Sequence, residues 1–75
     1  MRIEAVKYLE DYKLAIRFFT GENKIVDLEA WLKKQVNPMV LPYLNKENFK
    51  KVKLDSGFLS WGDGEMEISG DSLID

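Results

Sequence analysis

Lys13-Leu14-Ala15-Ile16-Arg17-Phe18-Phe19-Thr20-Gly21-Glu22-Asn23-Lys24-Ile25-Val26-Asp27-Leu28 holds the clearest periodicity in the chain. Leu14, Ile16 and Phe18 share one parity, while Lys13, Ala15, Arg17 and Phe19 share the other. That is the two-residue period of a strand with one face turned to a core. Thr20-Gly21-Glu22-Asn23 follows as a four-residue loop with a glycine, a common hairpin connector, and Lys24 to Leu28 returns as the partner strand. A hairpin therefore anchors the fold.

Upstream, Arg2 to Leu9 reads as a strand joined to the hairpin by a turn at Glu10-Asp11-Tyr12. Its apolar residues change parity between Ile3/Ala5 and Val6/Tyr8, which predicts a bulge or burial on both faces. Downstream, Asp27 stands where a helix N-cap would, followed by Leu28, Trp31, Leu32 and Val36 in an amphipathic stripe. Asn37-Pro38 ends that helix, because a residue before proline is pushed out of the α region. Pro38 to Leu44 is an apolar connector, and Asn45 is placed to cap a single turn through Phe49. Lys51 to Asp55, Phe58 to Trp61, and the alternation of Met66 and Ile68 with Glu65 and Glu67 supply three more strands. Ser56-Gly57 and Gly62-Asp63-Gly64 are the turns between them, and Ser69 to Leu73 reads as a turn leading into a short capped helical piece. The expected fold is α+β: a small, mostly antiparallel meander of five to six short strands with one main helix, in a single domain spanning 1–75.

The 75 residues include no cysteine, so the core must come from the 45% hydrophobic content, two Trp, four Phe and three Tyr among it, or from association. No stretch approaches the apolar length of a membrane span and the start lacks a signal-peptide core, so a cytoplasmic protein without membrane contact is expected. The net charge of −2 is unevenly spread: residues 1–53 carry eleven bases and seven acids (+4), and residues 54–75 six acids and no base (−6). Such polarity can steer a charged partner or order a head-to-tail contact, unless strand pairing mixes the two halves on the surface.

Catalysis is poorly supplied. There is no histidine and no cysteine, the commonest general base and the strongest uncharged nucleophile. Ser56, Ser60, Ser69 and Ser72 lie in turns or short strands without a nucleophile-elbow pattern, and Gly62-Asp63-Gly64 lacks the spacing and lysine of a phosphate loop. A non-enzyme without cofactor is expected. Asp63, Glu65, Glu67 and Asp71 imitate the opening of a calcium-binding EF-hand loop, but the required glycine and bidentate glutamate are replaced by Ile68 and Ile74. No metal site is therefore assigned, and a weak divalent-cation contact at Asp63, Glu65 and Glu67 is left open.

Two surfaces remain as binding candidates. Lys46, Lys50, Lys51 and Lys53, with Phe49 among them, could follow a phosphate backbone, although the acidic pI of about 5.1 and the outward parity of Lys51 and Lys53 favour a solvated face. The apolar connector is the stronger candidate. Met39, Val40, Leu41 and Tyr43 form either a lid over the sheet or an exposed contact patch. Phe19, on the parity opposite its apolar neighbours, signals a second buried face or an interface.

Asp11-Tyr12, the Leu14/Ile16/Phe18 alternation, Gly21-Glu22, Val26-Asp27-Leu28 and then Leu44, Phe49 and Val52 form an ordered series. It closes on Trp61-Gly62-Asp63-Gly64, Ile68 and Asp71-Ser72-Leu73. The series resembles the small bacterial family catalogued as domain of unknown function 2442, over nearly the whole chain. Gly62, Glu67 and Ile74 depart from that family's usual residues. The resemblance implies a compact α+β meander and transfers no catalytic residue. It also implies a genomic habit like that of antitoxin-like partners, beside a gene for another small protein. Some longer members append a helix-turn-helix, which residues 1–75 do not contain. The expected function is a non-enzymatic protein-interaction module, the antitoxin-like member of a two-gene pair, binding another small protein or itself. The alternative is a nucleic-acid-associated regulatory domain using the Lys46–Lys53 basic cluster.

Overall fold

A computed structural model describes every residue except Met1, Val36, Asp63, Ile74 and Asp75. The chain forms β1 (Ile3–Glu10), β2 (Lys13–Phe18) and β3 (Asn23–Asp27), then α1 (Glu29–Lys34), a 3-10 helix over Pro38–Leu44 and α2 (Lys46–Phe49). β4 (Lys53–Asp55), β5 (Phe58–Trp61), β6 (Met66–Ile68) and a 3-10 turn over Gly70–Leu73 complete it. The six strands are antiparallel meanders, as the alternation predicts, but they form two sheets, β1-β2-β3 and β4-β5-β6, in place of one. The helical stretch between β3 and β4 separates them.

Tyr8↔Leu14↔Val26 and Val6↔Ile16 put the apolar parity of each strand on the inner face of the first sheet. The expected irregularity in β1 is present as register shifts between Ile3 and Ala5 and between Tyr8 and Glu10. The β4–β5 turn at Ser56-Gly57 has both residues at positive φ (54° and 85°), the conformation a two-residue hairpin needs to match strand twist. In the second sheet Leu59, Trp61, Met66 and Ile68 turn inward. They join Ile3, Leu14, Ile16, Phe18, Val26, Leu28 and Leu32 in one core cluster. The sheets meet along β1, where the Ile3 N–H donates to the Gly57 carbonyl at 3.0 Å.

Three expectations are corrected. The N-cap position of α1 is held by Leu28 and not Asp27, although the Asp27 carboxylate does accept from the first-turn Glu29 N–H at 3.0 Å, tightening the turn into the helix. Second, α1 ends at Lys34, earlier than the stripe suggests, with Gln35 already extended. The chain must leave the helix there because Asn37, two residues on, caps the next one, accepting from the Met39 N–H. Val36 lies outside the described residues. Third, β4 begins at Lys53 and not Lys51, because the Lys51 and Val52 N–H groups still close the α2 turn onto Asn48 and Phe49. Asn45 does cap that turn, accepting from the Glu47 N–H at 2.9 Å.

Candidate functional site

The outer face of the first sheet carries side chains of an unusual mix. Strand register aligns Ala5, Arg17 and Asn23 in one row and Lys7, Ala15 and Ile25 in the next. Period-two alternation that buries Leu14, Ile16 and Val26 drives this set outward. The two alanine methyl groups leave the sheet surface low, and Lys7, Arg17 and Ile25 rise around it. The result is an open, mainly apolar trough of about 680 Å³. Ile25 is 68% exposed on that face. Among the described residues neither Lys7 nor Arg17 has a carboxylate partner; the Arg17 Nε donates to Asn23 Oδ1 at a long 3.4 Å. An apolar floor with two uncompensated cations beside it suits an acidic surface bearing an aliphatic or aromatic anchor. The signal was present in the alternation of Lys13, Ala15, Arg17 and Phe19. Ile25 was missed because it stands beside Val26 in a short strand, and two adjacent apolar residues do not say which of them faces the core.

The five residues expected to form a partner surface do not act together. Phe19 is 63% exposed just beyond β2, with the Arg2 guanidinium 5.7 Å from its ring centre. In the Pro38–Leu44 helix, residues three apart share a face. Val40 and Tyr43 are therefore both buried in the core, while Met39 and Leu41 stay exposed. Lid and patch are thus interleaved in one segment, and Val40 and Tyr43 cannot belong to an exposed contact surface.

The basic cluster is partly neutralised. Lys46 Nζ lies 2.8 Å from Asp11 Oδ1, and Lys50 Nζ lies 2.9 Å from Glu47 Oε1. The hydrogen bond and charge of Lys46 hold the Asp11 carboxyl below its ordinary range, and Asp11 in turn raises Lys46. Lys46 also sits 5.9 Å from the Tyr12 ring centre. Lys51 is exposed after α2, and Lys53 is exposed on β4. Lys46 and Lys50 at least are thus engaged in internal ion pairs, which weakens the cluster's claim on a phosphate backbone.

Glu67 is exposed on β6 between buried Met66 and Ile68, as a solvated strand carboxylate should be. Glu65 Oε1 accepts from the Tyr43 hydroxyl at 3.4 Å, and Asp63 lies outside the described residues. Among the described residues no group of three or more acids comes together to hold a metal. Of the four serines, Ser56 bonds to Asp55, Ser69 to Ser72, and Ser60 is buried in the centre of β5. No described helix is long and apolar enough to cross a membrane.

The chain belongs to the family described as protein of unknown function DUF2442, whose model matches residues 3–75. Neither a curated protein nor a solved structure matches it.

Proposed function

We propose that this chain is a non-enzymatic protein-interaction module that takes its partner on the outer face of the first sheet. The observation that carries the reading is the trough over Ala5 and Ala15, with Ile25 exposed and Lys7 and Arg17 beside it. A single exposed aliphatic side chain is ordinary, but an apolar trough bordered by Ile25 and flanked by Lys7 and Arg17 is a contiguous surface of the kind that a partner covers. The absence of histidine and cysteine from the sequence supports a binding role over catalysis. The finer reading, the antitoxin-like member of a two-gene pair, takes its support from the genomic habit implied by the family resemblance. The partner is then the small protein encoded next door.

The test is copurification of the tagged chain with the product of the neighbouring gene, alongside an Ala15→Glu variant. Glutamate at this position fills the trough and opposes an acidic partner while leaving the core untouched. Recovery of the neighbour by the native chain and its loss in the variant is the expected result. A native chain that recovers no neighbour, or a variant that recovers it equally well, overturns the reading.

A further inference from the structure

We propose that β3 is a pairing edge on which two copies of this chain join antiparallel about Ile25, making one continuous six-stranded sheet. The inference goes beyond the partner face and stands on backbone geometry. In an antiparallel ladder, hydrogen-bonded and non-hydrogen-bonded pairs alternate. The Phe18 N–H donates to the Glu22 carbonyl at one end of the β2–β3 hairpin, and the Leu28 N–H to the Tyr12 carbonyl at the other. With the observed register, both ends require Lys24 and Val26 to bond to β2. Asn23, Ile25 and Asp27 therefore direct their N–H and C=O groups away from the sheet.

These three residues are evenly spaced, and one arrangement uses them all. A two-fold axis through the Ile25–Ile25 pair sets Asn23 of each copy opposite Asp27 of the other. All three outward N–H and all three outward C=O groups of each copy are then paired. The side chains agree with this register. Asn23, Ile25 and Asp27 are exposed on the outer face, so isoleucine meets isoleucine and an amide donor meets a carboxylate. Arg17, already in contact with Asn23, flanks the incoming Asp27 on one side, and Lys13, paired with Asp27 in its own hairpin, flanks it on the other.

The opposite edge of the same sheet is built otherwise. β1 has two register shifts, and its Ile3 N–H is taken by Gly57 of the second sheet. Bulges and covering contacts are the devices that block edge pairing. β3 has neither a register shift nor a proline, and β2 is its only sheet neighbour among the described residues. The Gly70–Leu73 turn does reach it, through the Lys24 Nζ donating to the Leu73 carbonyl, a contact made by an inward-parity side chain and not by the outward backbone groups. A five-residue seam is short against the roughly 1,600 Å² of a standard interface, so the dimer should dissociate on dilution.

The experiment is sedimentation equilibrium from about 10 μM to 1 mM, joined to amide exchange by NMR at the two extremes. The expected result is a concentration-dependent dimer in which the Asn23, Ile25 and Asp27 N–H groups exchange at least about tenfold more slowly at high concentration. Ile25→Lys, at an exposed position, should raise the dissociation constant about tenfold or more. Ile25→Thr keeps the branched side chain that strands favour and should weaken pairing by a smaller factor. A monomer at every concentration overturns the proposal. So does a dimer that leaves those three amides unprotected or survives the lysine substitution unchanged.

Discussion

Single positions in this chain are decided by what stands beside them, and two of them make the point sharply. Gly62 and Gly21 both adopt positive φ, 57° and 90°. A Cβ at Gly21 meets nothing within 4 Å, whereas at Gly62 it lands on the Tyr43 hydroxyl and the Glu65 carboxylate. Gly21→Ala therefore carries only the left-handed backbone cost of about 1–2 kcal/mol. Gly62→Ala adds the displacement of a nearly buried tyrosine and its hydrogen bond, about 1 kcal/mol more. Urea denaturation of both variants should rank Gly62→Ala clearly lower; equal midpoints would mean that Tyr43 yields freely. Asp11 supplies the electrostatic case. Its carboxyl is held below the ordinary 3.8 by Lys46, so the stabilisation is present above that value and lost as pH falls through the lower folded one. Lys46 is raised above 10.5, so its share is present below 10.5 and lost as pH rises through the raised value. Lys46→Met should let the Asp11 titration, followed by carboxyl NMR, move up towards 3.8. An unmoved midpoint would assign the shift to another cause.

Elements were legible where one period governed them. The hairpin of β2 and β3, the β1 irregularity, the Asn45 cap and the β5 and β6 alternation all follow from residue order alone. The Pro38–Leu44 segment did not, because its composition is apolar on every side and only helical geometry separates the faces. A three-residue repeat sends Val40 and Tyr43 inward and leaves Met39 and Leu41 in water. The expected energetic consequence is unequal. Val40→Ala removes buried methyl groups from a close-packed site and should cost about 2–3 kcal/mol. Met39→Ala, on the exposed face, should stay within about 0.5 kcal/mol of the native chain. Comparable losses at the two positions, measured by chemical denaturation, would contradict the division of the segment. The same logic explains why the candidate site was only half visible. Alternation fixes which side chains leave the core, but that Ala5 and Ala15 would line up between Lys7, Arg17 and Ile25 depends on a register that includes a bulge.

At the scale of the whole molecule, the least legible feature was how two small sheets are held as one body. Phe49, an aromatic set among lysines in the sequence, is fully buried and touches both halves. Its ring meets Tyr8 and Tyr12 edge-on, at 6.2 and 5.3 Å between centres, on the side of the first sheet. On the other side it lies 5.6 Å from the Trp61 ring of β5, and its carbonyl accepts from Trp61 Nε1 at 2.8 Å. Pairing rules cannot foresee such a junction, since no strand register or helix period connects position 49 to 8, 12 and 61. Removing the ring should therefore affect both sheets together. Phe49→Ala is expected to cost about 3–5 kcal/mol, a large part of the roughly 4–11 kcal/mol that a chain of this length commands. The melting temperature should fall by at least about 15 °C, with tryptophan fluorescence and far-UV circular dichroism losing signal at the same temperature. Phe49→Leu, which keeps most of the volume, should preserve a single transition at an intermediate temperature. If Phe49→Ala instead melted in two steps, or close to the native temperature, the two sheets would have to be joined chiefly by the β1–Gly57 contact, and the aromatic cluster would be filling space between bodies already held.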